Sequence, residues 1–194
     1  MTMSFKRSHL LIGILTAAAV LVGMVLSIGA APIVYNMTMG PAAVQEATIN
    51  DAIWQLFNPA WATGSGTFQS FLRVQASPTE NGYNTDYRPL QFDENSSPSF
   101  TYTFPLKMVP QLEIEGSIYR EFQIDINETT GGSYLSLDRF QVWLTNDAEL
   151  TGYVEATHTF AAGTAIKVYD LDSEATDNAI IIDYNVNDGS GKRD

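Results

Sequence analysis

The chain has 194 residues, with 10 Lys+Arg against 22 Asp+Glu, a formal charge of −12 and no cysteine. So acidic a protein repels nucleic acid and anionic lipid headgroups, which sets nucleic-acid binding aside. Without a thiol it has no disulfide framework, no thiolate metal site and no cysteine nucleophile, so stability has to come from a packed core, supplemented at most by bound metal.

At the N-terminus Lys6 and Arg7 precede an apolar run over residues 10–28 whose 19 residues carry no charge. As a helix rising about 1.5 Å per residue it is about 28 Å long, close to the roughly 30 Å hydrocarbon thickness of a bilayer. It reads either as a secretory signal or as an uncleaved membrane anchor. Ser27, Gly29, Ala30 and Ala31 are small enough for cleavage, and Pro32 disfavours a cut just before it. Both readings keep Lys6 and Arg7 in the cytoplasm and export everything after about residue 32. The expected division is a signal peptide or anchor over 1–31, a linker with a short helix or first strand over 32–62, and one β domain over 63–194. Asn36, Asn95 and Asn127 begin N-x-Ser/Thr triplets, which permit glycosylation in a host with the machinery.

Within the linker, Val44, Ala47, Ile49, Ala52, Ile53 and Leu56 fit helical spacing loosely, and Thr48-Ile49 equally well begins a strand. After the turn-forming Thr63-Gly64-Ser65-Gly66, residues 67–75 alternate through Phe68, Ser70, Leu72 and Val74, a strand pattern. Residues 77–88 read as a polar loop. Further strands are predicted over 100–106, 111–115, 117–126 across a turn at Gly116, 135–144, 166–170 and 179–186. Short strands at spacings of roughly 8–15 residues, with no long helix among them, predict an all-β domain, an antiparallel, jelly-roll-like β-sandwich. No fixed-period repeat is visible, which argues against a solenoid or propeller.

A series of short blocks runs through this region: Gly64-Ser65-Gly66-Thr67-Phe68, Asn81-Gly82-Tyr83-Asn84-Thr85, Pro89-Leu90-Gln91-Phe92-Asp93, Tyr119-Arg120-Glu121-Phe122, Asp125-Ile126-Asn127-Glu128, Leu135-Ser136-Leu137-Asp138, Tyr169-Asp170-Leu171-Asp172 and Asp183-Tyr184-Asn185. In order and spacing, over roughly residues 63–194, these resemble exported bacterial proteins that commonly end in a PEP-CTERM sorting signal. The resemblance implies location more than chemistry, since most members of that family lack an assigned activity. Such proteins typically continue into further strands, a Pro-Glu-Pro motif, an apolar helix and a basic tail. This chain stops at Asp194 without them, so a C-terminally truncated domain with an open strand edge is expected.

For nucleophilic catalysis the exported region has one histidine, His158, in the alternating stretch Ala156-Thr157-His158-Thr159-Phe160, and no G-x-S-x-G elbow. A surface or structural role is expected for it. Glu113 and Glu115, two apart on a predicted strand, share a face and form a candidate acid pair for glycoside hydrolysis, against the default of a solvated outer face. Calcium suits the acid-rich turns better, being hard, oxygen-seeking and abundant outside cells. One candidate set is Asp170, Asp172, Glu174 and Asp177. The other is Asp183, Asn185 and Asn187, where Asp188 stands at the turn position that wants glycine and Gly189 comes one residue late. The competing reading of both is a solvated turn capped by its own Asp and Asn side chains. For sugar recognition, Tyr83 and Tyr87 in the polar loop are the candidate stacking residues.

Taken together, the sequence predicts a non-enzymatic exported protein of the cell envelope or extracellular matrix, secreted or membrane-anchored, acting in surface association or adhesion. The alternatives are a carbohydrate-binding module and, behind it, an acid-pair glycoside hydrolase. Expected partners are the membrane through the N-terminal segment, extracellular polysaccharide and other copies of the chain.

Overall fold

The computed structural model describes residues 32–38, 43–56, 69–126, 132–173 and 175–183. The apolar run over 10–28 lies outside them, and among the described residues no helix is long and apolar enough to cross a membrane. The all-β class expected from the sequence holds: among the described residues, regular structure consists of strands and one 3-10 turn over Leu106–Met108. There are four small sheets among the described residues.

The central element is β9 (Asn178–Asp183), flanked on one side by β1 (Ile33–Met37), which runs parallel to it, and on the other by the antiparallel β6 (Tyr134–Leu137). Its Ile180-Ile181-Ile182 run suits a strand paired along both edges, because β-branched side chains fill a pleated, buried surface. Ile180 and Ile182 turn inward to meet Met37 of β1, Ile49, Ile126 and Leu171, and these six form the buried core.

Ile49 reaches that core from β2 (Glu46–Ile49), which with β3 (Ala52–Gln55) forms a hairpin where the sequence left helix and strand both open. Its two-residue turn has Asn50 and Asp51 both at positive φ, 48° and 66°, the backbone that matches strand twist and that Asn and Asp tolerate best. The hairpin of β4 (Gln111–Ile114) and β5 (Ser117–Arg120) turns the same way through Glu115 and Gly116, at φ 50° and 78°. The last pair is β7 (Gln141–Leu144) with β8 (Ile166–Asp170), antiparallel with a bulge between Val142 and Trp143.

Four predicted strands differ. Residues 100–106 alternate as a strand does, yet their main chain is taken up by a neighbouring loop. Tyr102 N donates to Phe71 O at 3.0 Å, Thr103 N to Asp86 Oδ1 at 2.9 Å, and Arg88 Nη2 reaches Thr101 O at 2.6 Å. Over 69–75 the described pairing is a lone antiparallel bridge, Val74 to Glu94. The 117–126 prediction is cut to four residues because its partner strand ends at Pro110, whose carbonyl takes the last bond, from Glu121 N at 3.0 Å. The 135–144 prediction splits into β6 and β7, which join different sheets.

Candidate functional site

Chemistry-bearing side chains gather in two places. The first is the acidic turn that links β8 to β9. Asp170, the last residue of β8, accepts from Lys167 Nζ at 2.5 Å and from Gln141 Nε2 at 2.7 Å on Oδ2, while its Oδ1 takes Asp172 N at 3.3 Å. Asp172 pairs its Oδ2 with Arg139 at 2.9 Å and caps Asn178 N at 2.9 Å with Oδ1. Both candidate carboxylates thus face a cationic side chain and a main-chain N–H.

Asp177 is exposed, and its carbonyl accepts from Ile33 N, tying the turn to β1. Asp183 is buried at the end of β9 opposite Tyr134. Glu174, Asn185 and Asn187 lie outside the described residues, as does Asn127. Among the described residues no three His, Cys, Asp or Glu side chains group closely enough to hold a metal ion. The turn also contains Asn178, 2% exposed, which donates Nδ2 to Leu171 O at 2.7 Å.

The second place is an aromatic cluster. Tyr83 from the loop over 77–88 packs edge to face against Phe92 and Phe160, with centroids 6.1 and 5.2 Å away, and lies 6.2 Å from Tyr153. Phe160 in turn meets Tyr153 at 5.2 Å and Trp143 of β7 at 5.4 Å. Such T-shaped contacts set the positive ring edge on the negative face. Phe160 is buried and the other four rings are half-buried, so the cluster has an inner and a wet side. Lys167 Nζ lies 5.6 Å over the Trp143 ring, within cation–π range.

Two glutamines bind the rings together. Gln91 Oε1 accepts from Tyr83 OH at 2.9 Å and Tyr153 N at 3.1 Å, and its Nε2 donates to Tyr153 O at 2.7 Å. Gln141 Oε1 accepts from Tyr153 OH at 2.8 Å and Trp143 Nε1 at 3.1 Å. Burial lifts the Tyr153 phenol above its ordinary 10.0 against the pull of Arg139, with the Asp170 and Glu155 carboxylates pushing the same way. At neutral pH it is therefore a donor. Beneath the loop, buried Glu94 accepts Tyr83 N at 2.9 Å on one oxygen and Phe92 N at 2.8 Å on the other.

The two sugar-stacking candidates part company here. Tyr83 belongs to the cluster, whereas Tyr87 is an exposed ring whose N–H is capped by Thr85 Oγ1 at 3.1 Å. Trp54 is on the core side, donating Nε1 to Tyr169 OH at 2.9 Å. His158 adopts φ 54° in a tight turn, and its carbonyl accepts from Gln141 Nε2 at 3.3 Å. Glu113 lies on β4 but Glu115 sits in the turn at positive φ, so strand alternation does not bring these acids to one face. Phe92, Tyr153, Phe160, Gln91 and Gln141 were not singled out from sequence. Gln91 and Tyr153 are 62 positions apart, and no linear spacing signals the pair.

A scan against protein-family models finds no match, and searches of curated proteins and of solved structures return no similar protein.

Proposed function

We propose that this is an exported, non-enzymatic β-sandwich protein of the cell envelope or extracellular matrix, secreted or membrane-anchored, that acts in surface association or adhesion. The observation that carries the reading is the order of the chain: Lys6 and Arg7, 19 uncharged residues, then an acidic, cysteine-free domain of β structure. The resemblance to exported proteins that end in a PEP-CTERM signal agrees with it. A sandwich is supported by Ile49 of the β2–β3 hairpin meeting Met37, Ile180 and Ile182 of the three-stranded sheet in one core. The non-enzymatic part is supported by the acids Glu94, Asp170 and Asp172, whose oxygens are held by main-chain amides and cations. Calcium binding on this reading requires the ion to displace Lys167 and Arg139 from Asp170 and Asp172.

The test is expression of the full chain in a bacterial host, followed by protease treatment of spheroplasts and a cell-aggregation assay. External digestion of the β domain together with increased aggregation is expected. A domain protected from external protease overturns the reading.

A second reading, a carbohydrate-binding module, is favoured by the half-buried rings of Tyr83, Phe92 and Tyr153 beside the exposed amide of Gln91. Its test is retardation in polysaccharide-containing native gels. Retardation lost in both Tyr83→Ala and Tyr153→Ala, with the far-UV circular dichroism unchanged, supports it. Unretarded wild-type chain sinks it.

A further inference from the structure

Five of the eight strand residues of the β4–β5 hairpin are exposed. Leu106, Met108, Leu112 and Ile118 in and beside it are between 43% and 59% exposed. A two-stranded hairpin with both faces wet is marginal on its own and gains from further pairing.

Its hydrogen-bond phase follows from the turn. A two-residue turn makes Ile114 and Ser117 a hydrogen-bonded pair, alternation makes Leu112 and Tyr119 the next, and the bond from Glu121 N to Pro110 O continues the series. The N–H and C=O groups of Gln111 and Glu113 therefore point outward from β4, and those of Ile118 and Arg120 outward from β5. Among the described residues no other segment bonds to them.

The two edges are not equivalent. The β4 edge ends at Pro110, which has no N–H, and carries the exposed acid Glu113, both devices that deter pairing. The β5 edge has neither proline nor acid among its four residues. Its one charge, Arg120, is drawn back across the hairpin, where Nη1 donates to Val109 O at 2.7 Å.

We propose that β5 is a self-pairing edge, and that its partner is β5 of a second copy, joined antiparallel about a two-fold axis at Tyr119. This deepens the association reading, on which it rests, by naming the partner. In that register Ile118 and Arg120 of one copy exchange main-chain bonds with Arg120 and Ile118 of the other, so every outward group of the edge is used. One face of the resulting four-stranded sheet carries the row Leu112, Tyr119, Tyr119, Leu112, an apolar ladder of the kind that stabilises cross-strand pairing.

Charge points to the same partner. The chain carries −12, which opposes contact between copies, but residues 106–120 carry Lys107 and Arg120 against Glu113 and Glu115 and sum to zero. Two copies thus meet at this hairpin without net repulsion between the facing segments.

Because the chain has no cysteine, a single introduced thiol tests the register directly. Across the two-fold, Tyr119 faces its own copy with Cα atoms about 4.5 Å apart, within disulfide reach, whereas Ser117 lies four positions out of step, about 13 Å from its copy. Full-length Tyr119→Cys in host membranes, treated with a mild oxidant, is expected to give at least about tenfold more covalent dimer than Ser117→Cys. Adding Ile118→Pro, which removes an outward N–H that no other described residue accepts, is expected to abolish that dimer. Equal cross-linking of the two thiols, or none from Cys at 119, overturns the proposal, and the wild-type chain's cell-aggregation result separates the two readings. Aggregation without cross-linking at 119 removes the hairpin and keeps association, and cross-linking at 119 without aggregation keeps the pairing and removes association.

Discussion

Asn50 donates Nδ2 to the carbonyl of Leu171 at 2.9 Å, and to that of Asp170 at 3.0 Å, across 121 and 120 positions of sequence. The turn of the β2–β3 hairpin is thereby fastened to the end of β8, where the chain leaves the aromatic cluster for the core. Leu171 is fully buried, and its carbonyl also accepts Asn178 Nδ2 at 2.7 Å. One buried carbonyl thus joins the hairpin layer, the acidic turn and the central strand.

Substitution at Asn50 separates two contributions. Asn50→Gly keeps the positive φ of 48° and loses the bonds, while the Leu171 carbonyl stays satisfied by Asn178, so a loss of about 1 kcal/mol is expected. Asn50→Ala loses the bonds and also places in the left-handed region a residue without the short polar side chain that lets Asn tolerate it, raising the loss to about 2 kcal/mol. Urea midpoints of the two variants at constant m-value check the ordering, and equal losses would show that the bonds alone matter.

The loop that carries Tyr83 is expected to depend on Glu94 and Gly82. Glu94→Gln turns one amide-accepting oxygen into a donor facing an N–H, in a buried place, and should cost about 1–3 kcal/mol. A Cβ on Gly82 meets Val74 Cγ1 at 2.5 Å and Glu94 Cγ at 2.7 Å, so Gly82→Ala should cost about 1–3 kcal/mol by crowding. Near-UV circular dichroism, which reads the Tyr83, Tyr153 and Trp143 rings, should weaken in both variants before global unfolding.

What the sequence made legible is local. The Gly116 turn marks the β4–β5 hairpin, and the isoleucine run marks β9, because turn chemistry and strand propensity act over a few residues. The parallel pairing of Ile33 with Asn178, 145 positions on, leaves no such trace. Nor does the fate of residues 100–106, whose pattern is a strand's but whose bonds are taken by Asp86 and Arg88. At the candidate sites the same division holds. Lys167 is three residues from Asp170 and could be paired with it on paper, whereas Arg139 reaches Asp172 only through the fold.

Alkaline pH should expose the second phenol with a burial-raised pKa. Tyr169 accepts from Trp54 Nε1 and donates to Ile49 O at 3.2 Å. Burial raises it above its ordinary 10.0 despite the Trp54 bond, helped by Asp170, Asp172 and Tyr35. Because the unfolded phenol ionises first, the contribution is complete below pH 10 and is lost as pH rises through the folded value. Tyr169→Phe should cost about 1–2 kcal/mol at neutral pH and give a shallower alkaline decline. The decline persists in part through Tyr153, which shifts the same way. Denaturant unfolding from pH 7 upward measures both, and an unchanged alkaline slope would remove Tyr169 from the account.

The acidic turn offers the sharpest test of whether carboxylates here serve the fold or a cation. Asp172 is 12% exposed at its side chain and satisfies Arg139 with one oxygen and Asn178 N with the other. If those are its partners in solution, Asp172→Ala should cost about 1–2 kcal/mol, chiefly through the uncapped amide, since a half-exposed guanidinium contributes little. The loss should be the same in excess Ca²⁺ and in chelator, because Arg139 and the amide compete with any ion for the same oxygens. Thermal unfolding of the wild type and of Asp172→Ala under both conditions decides it. A wild-type melting point several degrees higher in Ca²⁺, with the difference gone in Asp172→Ala, would mean that the ion displaces Arg139 and that this turn is a calcium site.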